Sequence, residues 1–219
     1  MNVLVFSDTH LTVPFEQEKY NFLVRLIKKA DTVIINGDFW DGYLTDYKTF
    51  VRSSWVKLFP LLKEKHTVYV YGNHDKASFT NTNQVSQFSD IQTVVYRATI
   101  DGTTCVFQHG NRITPFFEEL GFYHPPKIVI SLLNFIEKIM TRVFRNKYIG
   151  LISQKYNNKM KRYAKKHLKP GELLFCGHTH CAEFDLQHQF VNTGFIRYGL
   201  AQYVWIRNGK VEFQEEWYE

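Results

Sequence analysis

The 219-residue sequence is expected to fold as an α/β protein around a largely parallel sheet, and three observations lead there. Short apolar runs rich in β-branched residues alternate with segments of helical spacing, as in βαβ units. The length suits one such domain, residues 1–219, with room for an insertion and not for two large domains. A composition 44% hydrophobic and 16% aromatic supplies a sizeable core and excludes long disorder, collagen-like repeats and coiled coils.

Taken in order, residues 2–6, 32–36, 67–71, 104–108 and 172–176 read as buried strands. Between the first three, residues 15–30 place Tyr20, Phe22, Leu23, Leu26 and Ile27 on one helical stripe, and residues 47–65 do the same with Phe50, Trp55, Leu58 and Leu62. Near the end, residues 202–206 and 211–214 flank Asn208-Gly209, a hairpin signal because both residues accept positive φ. No internal repeat or low-complexity linker interrupts the chain.

The character changes between Pro115 and Pro170. Pro125 and Pro126 stand where a helix could begin, and residues 127–145 then repeat Ile128, Leu132, Phe135, Ile136, Ile139 and Val143 at helical spacing. A second helix, 151–168, sets Ile152, Tyr156, Met160 and Tyr163 against Lys155, Lys159, Arg162 and Lys166. Together they predict a helical hairpin, 115–168, inserted into the core; the plainer alternative is a pair of helices covering a sheet edge. Residues 111–170 hold thirteen basic residues against Glu118, Glu119 and Glu137, a net +10, which leaves −4 for the rest of the +6 chain. A basic module on an acidic body points to an anionic partner, unless the charges only solvate a helix face.

No uncharged apolar run approaches the roughly 18 residues that span a bilayer. The N-terminal MNVLVFSDTH lacks the basic start of a secretory signal, and Cys105, Cys176 and Cys181 form neither a CxxC pair nor an even framework. A reducing cytoplasm is therefore expected.

Each of the five strands is followed at once by a polar cluster: Ser7-Asp8-Thr9-His10, Gly37-Asp38-Phe39-Trp40-Asp41, Gly72-Asn73-His74-Asp75, Gln108-His109-Gly110-Asn111 and Gly177-His178-Thr179-His180. Ligands of open α/β sheets bind at the carboxyl ends of strands, so these loops should converge. Asp and His suit a transition metal of borderline hardness, and the lack of Cys there argues against a structural thiolate site. Asp8, His10, Asp38, Asn73, His109, His178 and His180 are too many ligands for one tetrahedral ion and suit two ions sharing a carboxylate, a site for hydrolysis of phosphoesters or phosphoanhydrides. His74 is then the candidate to touch the substrate, with adjacent Asp75 placed to fix its ring. Singly, each cluster could be a turn or a helix cap; their shared position after five strands makes the case.

The motifs DTH, GDFWD, GNHD, HGN and GHTH occur in the order found in calcineurin-like metallophosphoesterases, which the chain resembles over residues 1–112 and 171–219. That resemblance implies a two-sheet sandwich flanked by helices, with Asp8, His10 and His180 on a first divalent ion and Asn73, His109 and His178 on a second. It implies Asp38 as the bridge, His74 as acid or electrostatic clamp, Asp41 as a neighbour of ligands or substrate, and Mn²⁺ as the expected metal, with Fe or Zn as alternatives. Ser7 to Leu11, the helical insertion and Asn192-Thr193-Gly194 further resemble UDP-2,3-diacylglucosamine hydrolases and related pyrophosphatases, although those enzymes typically have Arg where this chain has His74 and an HGD-type motif where it has His109-Gly110-Asn111. The implied substrate is a phosphate-containing small molecule or a lipid-linked one, with residues 127–168 touching the anionic inner face of a membrane. Nucleic acid gripped by the basic insertion and a non-catalytic scaffold stand as alternatives.

Overall fold

The computed structural model describes residues 1–116, 126–144 and 147–218. One sheet carries β1 (Asn2–Phe6), β2 (Thr32–Asn36), β3 (Val68–Val70) and β4 (Ile91–Thr93), all parallel, and continues from β1 antiparallel through β11 (Leu200–Arg207), which pairs with β10 (Ile196–Arg197) and β12 (Lys210–Trp217). The second sheet runs β5 (Tyr96–Ile100), β6 (Thr103–Phe107), β7 (Glu172–Cys176), β9 (Phe190–Asn192) and β8 (Glu183–Asp185), with β6, β7 and β9 parallel and the two edges antiparallel. The expected parallel sheet is thus the centre of two mixed sheets.

Side-chain alternation makes the sandwich. In β1, Val3 and Val5 point between the sheets and meet Phe107, Phe175 and Val191, whereas Leu4 and Phe6 point outward. That outer face is covered by α1 (Gln17–Lys28), whose Phe22, Leu23, Leu26 and Ile27 are buried, and by α3 (Phe59–Glu64). On the far side, α6 (Lys147–His167) lays Met160 and Ala164 on Val106, Leu174 and Phe190 of the second sheet. Helix, sheet, sheet and helix give four layers, the sandwich that the motifs imply.

The helix expected over residues 47–65 is broken. Asp46 caps α2 (Tyr47–Phe50) by accepting from Thr49 N at 2.8 Å, Ser53 caps a 3₁₀ turn over Ser54–Leu58, and Pro60 opens α3. Two N-caps and a proline at a helix start divide a segment that apolar spacing alone makes continuous. A further short helix, α4 (Thr82–Val85), precedes β4.

The hairpin consists of α5 (Lys127–Phe144) and α6, beginning just after Pro126; residues 117–125, Pro125 among them, and 145–146 of the expected insertion lie outside the described residues. The two helices differ in packing. Only Thr141 of α5 is buried, and its apolar stripe faces solvent, with Ile128 at 78% exposure, Val143 at 63% and Leu132 and Phe135 both at 58%. Among the described residues no helix is long and apolar enough to cross a membrane.

Candidate active site

Because β1, β2 and β3 are parallel in one sheet and β6 and β7 in the other, their carboxyl ends meet at one edge of the sandwich. The chain leaves those ends through sharp turns: Asp8, His10, Asp38, His178 and His180 all hold positive φ, from 42° to 69°. Left-handed backbone costs an ordinary residue roughly 1–2 kcal/mol, so the loops store strain that the surrounding packing sustains. Two glycines permit the crowding, since a Cβ at Gly72 would overlap the Asp38 carboxylate and one at Gly177 the Asp8 carboxylate.

All seven proposed ligands converge there. Asp8 Oδ1 lies 3.3 Å from His180 Nε2 and 3.7 Å from His10 Nε2, and these three residues form one group able to hold a metal ion. Asp38 Oδ2 lies 3.0 Å from His109 Nε2 and 3.7 Å from His10 Nε2, so it faces both halves of the cluster. Asn73 Oδ1 completes the second half, 3.2 Å from His109 Nε2 and 2.9 Å from His178 Nδ1.

The far ring nitrogens show that these donors fit divalent cations. His109 Nδ1 donates to Asn36 O at 2.9 Å, His178 Nε2 to Thr114 O at 2.9 Å and His180 Nδ1 to Glu137 at 2.7 Å. Each bond orients the ring and aims the opposite nitrogen into the cluster, the arrangement of a metal-ligating histidine. The charge balance agrees. Burial opposes protonation of His109, but Asp38 and Asp8 push its pKa to about 10; burial is likewise outweighed at His180, where Glu137 and Asp8 bring it to about 9. Carboxylates packed this closely call for positive charge, and divalent ions supply it. Burial and the neighbouring His109 drive His178 the other way, to about 3.

Asp75 departs from expectation. Its buried carboxylate turns away from the His74 ring and accepts from Phe39 N and Gly72 N, both at 2.7 Å, and from Tyr69 OH. Successive side chains of a tight turn diverge, so adjacency in sequence is not contact. The partner of His74 is Asp41, whose Oδ1 is 3.1 Å from Nδ1, with its other oxygen 3.7 Å from His10 Nδ1. Burial would lower the His74 pKa, but Asp38 and Asp41 together hold it above the ordinary value. Burial and Asp38 instead raise Asp75 to about 6, against the lowering effect of its Tyr69 and Gly72 hydrogen bonds.

Glu137, Arg197 and Tyr198 join the cluster without having been singled out from sequence. Arg197 Nη1 and Tyr198 OH each donate to Glu137 Oε2 at 2.9 Å. The available signal was that Glu137 is the lone acid of residues 127–168; nothing local marks Arg197.

A cavity of about 280 Å³ opens over the cluster. One wall is Asp38, Asn73, His74, His178 and His180; the other is largely apolar and comes from Phe116 and from Tyr148, Ile149 and Ile152 of α6. A larger cavity, about 840 Å³, lies against α1, α5 and the end of β12 and is lined by none of the seven ligands.

The family model described as calcineurin-like phosphoesterase matches residues 1–182. No curated protein matches the chain by sequence. Among solved structures, an archaeal phosphodiesterase is 17% identical, with 99% of each chain covered and a TM-score of 0.56. A Thermotoga maritima protein solved by NMR is 18% identical, with 99% of this chain and 98% of that one covered at a TM-score of 0.50. An Escherichia coli phosphoesterase is 15% identical over 100% of both chains, at a TM-score of 0.48.

Proposed function

The chain belongs to the calcineurin-like phosphoesterase family and is a metal-dependent phosphohydrolase, and from that premise we propose that it cleaves a phosphodiester or pyrophosphate bond in a substrate carrying acyl chains. The observation that carries this reading is the two-sided cavity, with Asp and His on one wall and Tyr148, Ile149 and Ile152 on the other. A UDP-linked acylated sugar has both halves. Exposed Ile128, Leu132, Phe135 and Val143 on α5, with exposed Lys155, Lys159, Arg162 and Lys166 on α6, would bring the enzyme to the anionic inner face of a membrane where such a substrate lies.

Asp8, His10 and His180 would hold one divalent ion and Asn73, His109 and His178 the other, with Asp38 shared; Mn²⁺ suits these O and N donors, as do Fe and Zn. Bound divalent ions supply Lewis acidity toward phosphoryl oxygens. The chain's own groups supply the rest. Asp41 holds the His74 Nδ1 proton, which orients the ring and leaves Nε2 to protonate or clamp the leaving oxygen. Asp75 pins the Gly72 and Phe39 backbone and so sets where His74 and Asp38 stand. The apolar wall limits water beside the scissile bond and selects the acyl group.

The test is a hydrolysis panel with Mn²⁺: a monoester, a generic diester, a nucleotide sugar, a UDP-linked acylated sugar and single-stranded RNA. The acylated sugar should give the highest kcat/KM, and His74→Ala should keep two ions while losing about 10²–10⁴ in kcat. Equal rates with and without acyl chains would remove the lipid-linked reading, and RNA as the best substrate would replace it.

A further inference from the structure

Between Lys127 and Leu168 every charged side chain is basic except Glu137. It lies on α5, the helix that buries less against the body, yet it reaches a proposed metal ligand. Its Oε1 accepts from His180 Nδ1 at 2.7 Å, and its Oε2 accepts from Arg197 Nη1 and Tyr198 OH, both at 2.9 Å. Arg197 is only 7% exposed and sends Nη2 back to Asn134 Oδ1 at 3.1 Å, one turn earlier on α5. From α6, Tyr148 OH donates to the Glu137 carbonyl at 3.3 Å and lies 3.1 Å from Thr141 Oγ1. His180, Arg197 and Tyr198 therefore meet at one carboxylate, with Asn134, Thr141 and Tyr148 of the two helices bonded around it.

The other histidines of the cluster with a held ring take their outer partner from the backbone: Asn36 O for His109 and Thr114 O for His178. His180 alone among these takes it from a side chain of the inserted helix. We propose that Glu137 is a positioning residue, the latch through which α5 orients His180 toward Asp8, so that seating of the insertion and retention of the first divalent ion are one coupled equilibrium. This rests on the dinuclear reading of the site. The physical content is twofold. A carboxylate on the outer nitrogen fixes the ligating tautomer and strengthens the inner nitrogen as a donor, and its loss at such a position typically costs 10–100-fold in metal affinity. Coupling is reciprocal, so an ion that needs His180 in place must also hold α5 in place.

The experiment uses the full chain and Mn²⁺ itself, with Glu137→Gln and Glu137→Ala. Calorimetric titration should show one of the two ions bound 10–100-fold more weakly in both variants, and the other within about twofold of wild type. Amide hydrogen exchange across α5 should slow when Mn²⁺ is added to wild type, and this response should vanish in the variants. Asn134→Ala, which loosens Arg197 without touching His180, should speed exchange in α5 and weaken the same ion, by less than Glu137→Ala does. Unchanged affinity for both ions in folded Glu137→Gln would overturn the latch, as would equal weakening of the two. Should both variants fail to fold, the wild-type exchange experiment decides, and an α5 indifferent to Mn²⁺ overturns the coupling. Wild-type protein binding no Mn²⁺ would overturn the dinuclear reading itself, whereas two normal ions with an inert Glu137 overturn only the latch.

Discussion

The two helices of the insertion, α5 and α6, are neighbours in sequence and opposite in their relation to the body. Helix α6 seats Met160, Ala164 and Asn157 against the second sheet and the β7 loop and turns Lys155, Lys159, Arg162 and Lys166 to water. Helix α5 is the more apolar, yet it leaves its stripe in solvent and is tied to the body by polar contacts around Glu137. Apolar spacing identifies a helix face but not its cover. The outer face of the second sheet is covered by α6, whose Met160 closes against Gly110.

The largest expected effect falls on that packed helix. Met160→Ala should cost about 2–5 kcal/mol in chemical denaturation, the range for a fully buried side chain of this size. A loss under 0.5 kcal/mol would mean that α6 rests on the sheet as loosely as α5 does. Next in size, Phe135→Ser on α5 should weaken partitioning onto anionic vesicles by about 1.5–3 kcal/mol, the value of one large apolar side chain, without lowering stability. If partitioning is unaffected, the exposed stripe is not the part that meets lipid. Lys155→Glu and Lys159→Glu on α6 should each cost roughly 1 kcal/mol of vesicle binding at low salt, and less at high salt. Lys161 does not belong to this set, because it is paired with Glu183 at 2.5 Å and Asp185 at 3.3 Å and its replacement would disturb the fold. Smallest of all, Leu132→Ala should change stability by no more than about 0.5 kcal/mol. A larger loss would show that α5 packs more closely in solution than its 58% exposed Leu132 indicates.

Strands β1, β2 and β7 are legible in the sequence to the residue because both faces are buried and the runs are continuously apolar. Strands β4, β5 and β8 are not. They are edge strands with half-polar composition, and Ile91 of β4 is 42% exposed. In the site, the convergence of the seven proposed ligands could be read because each follows a strand, and a parallel sheet carries strand ends to one edge. The pairing of His74 with Asp41 could not, since it joins residues 33 apart across two loops, and Asp75 beside it in sequence drew the inference wrongly. Glu137 and Arg197, 60 residues apart, meet only through the fold.

The left-handed backbone at Asp8, His10, Asp38, His178 and His180 narrows which chemistries this scaffold can evolve. Asp, Asn and His are the non-glycine residues that tolerate such φ values best, and they are also hard and borderline metal donors. Backbone demand and coordination demand therefore select the same three side chains, and a drift toward Glu or Cys ligands meets a conformational penalty before any question of metal preference arises. An alanine scan of this centre removes a ligand and strains a turn in one step. Glycine separates the two: His180→Gly should be about 1 kcal/mol more stable than His180→Ala in thermal unfolding of the metal-free chain, the reverse of the order inside a helix. Asp38→Asn should likewise outlast Asp38→Glu, even though only the latter keeps the carboxylate.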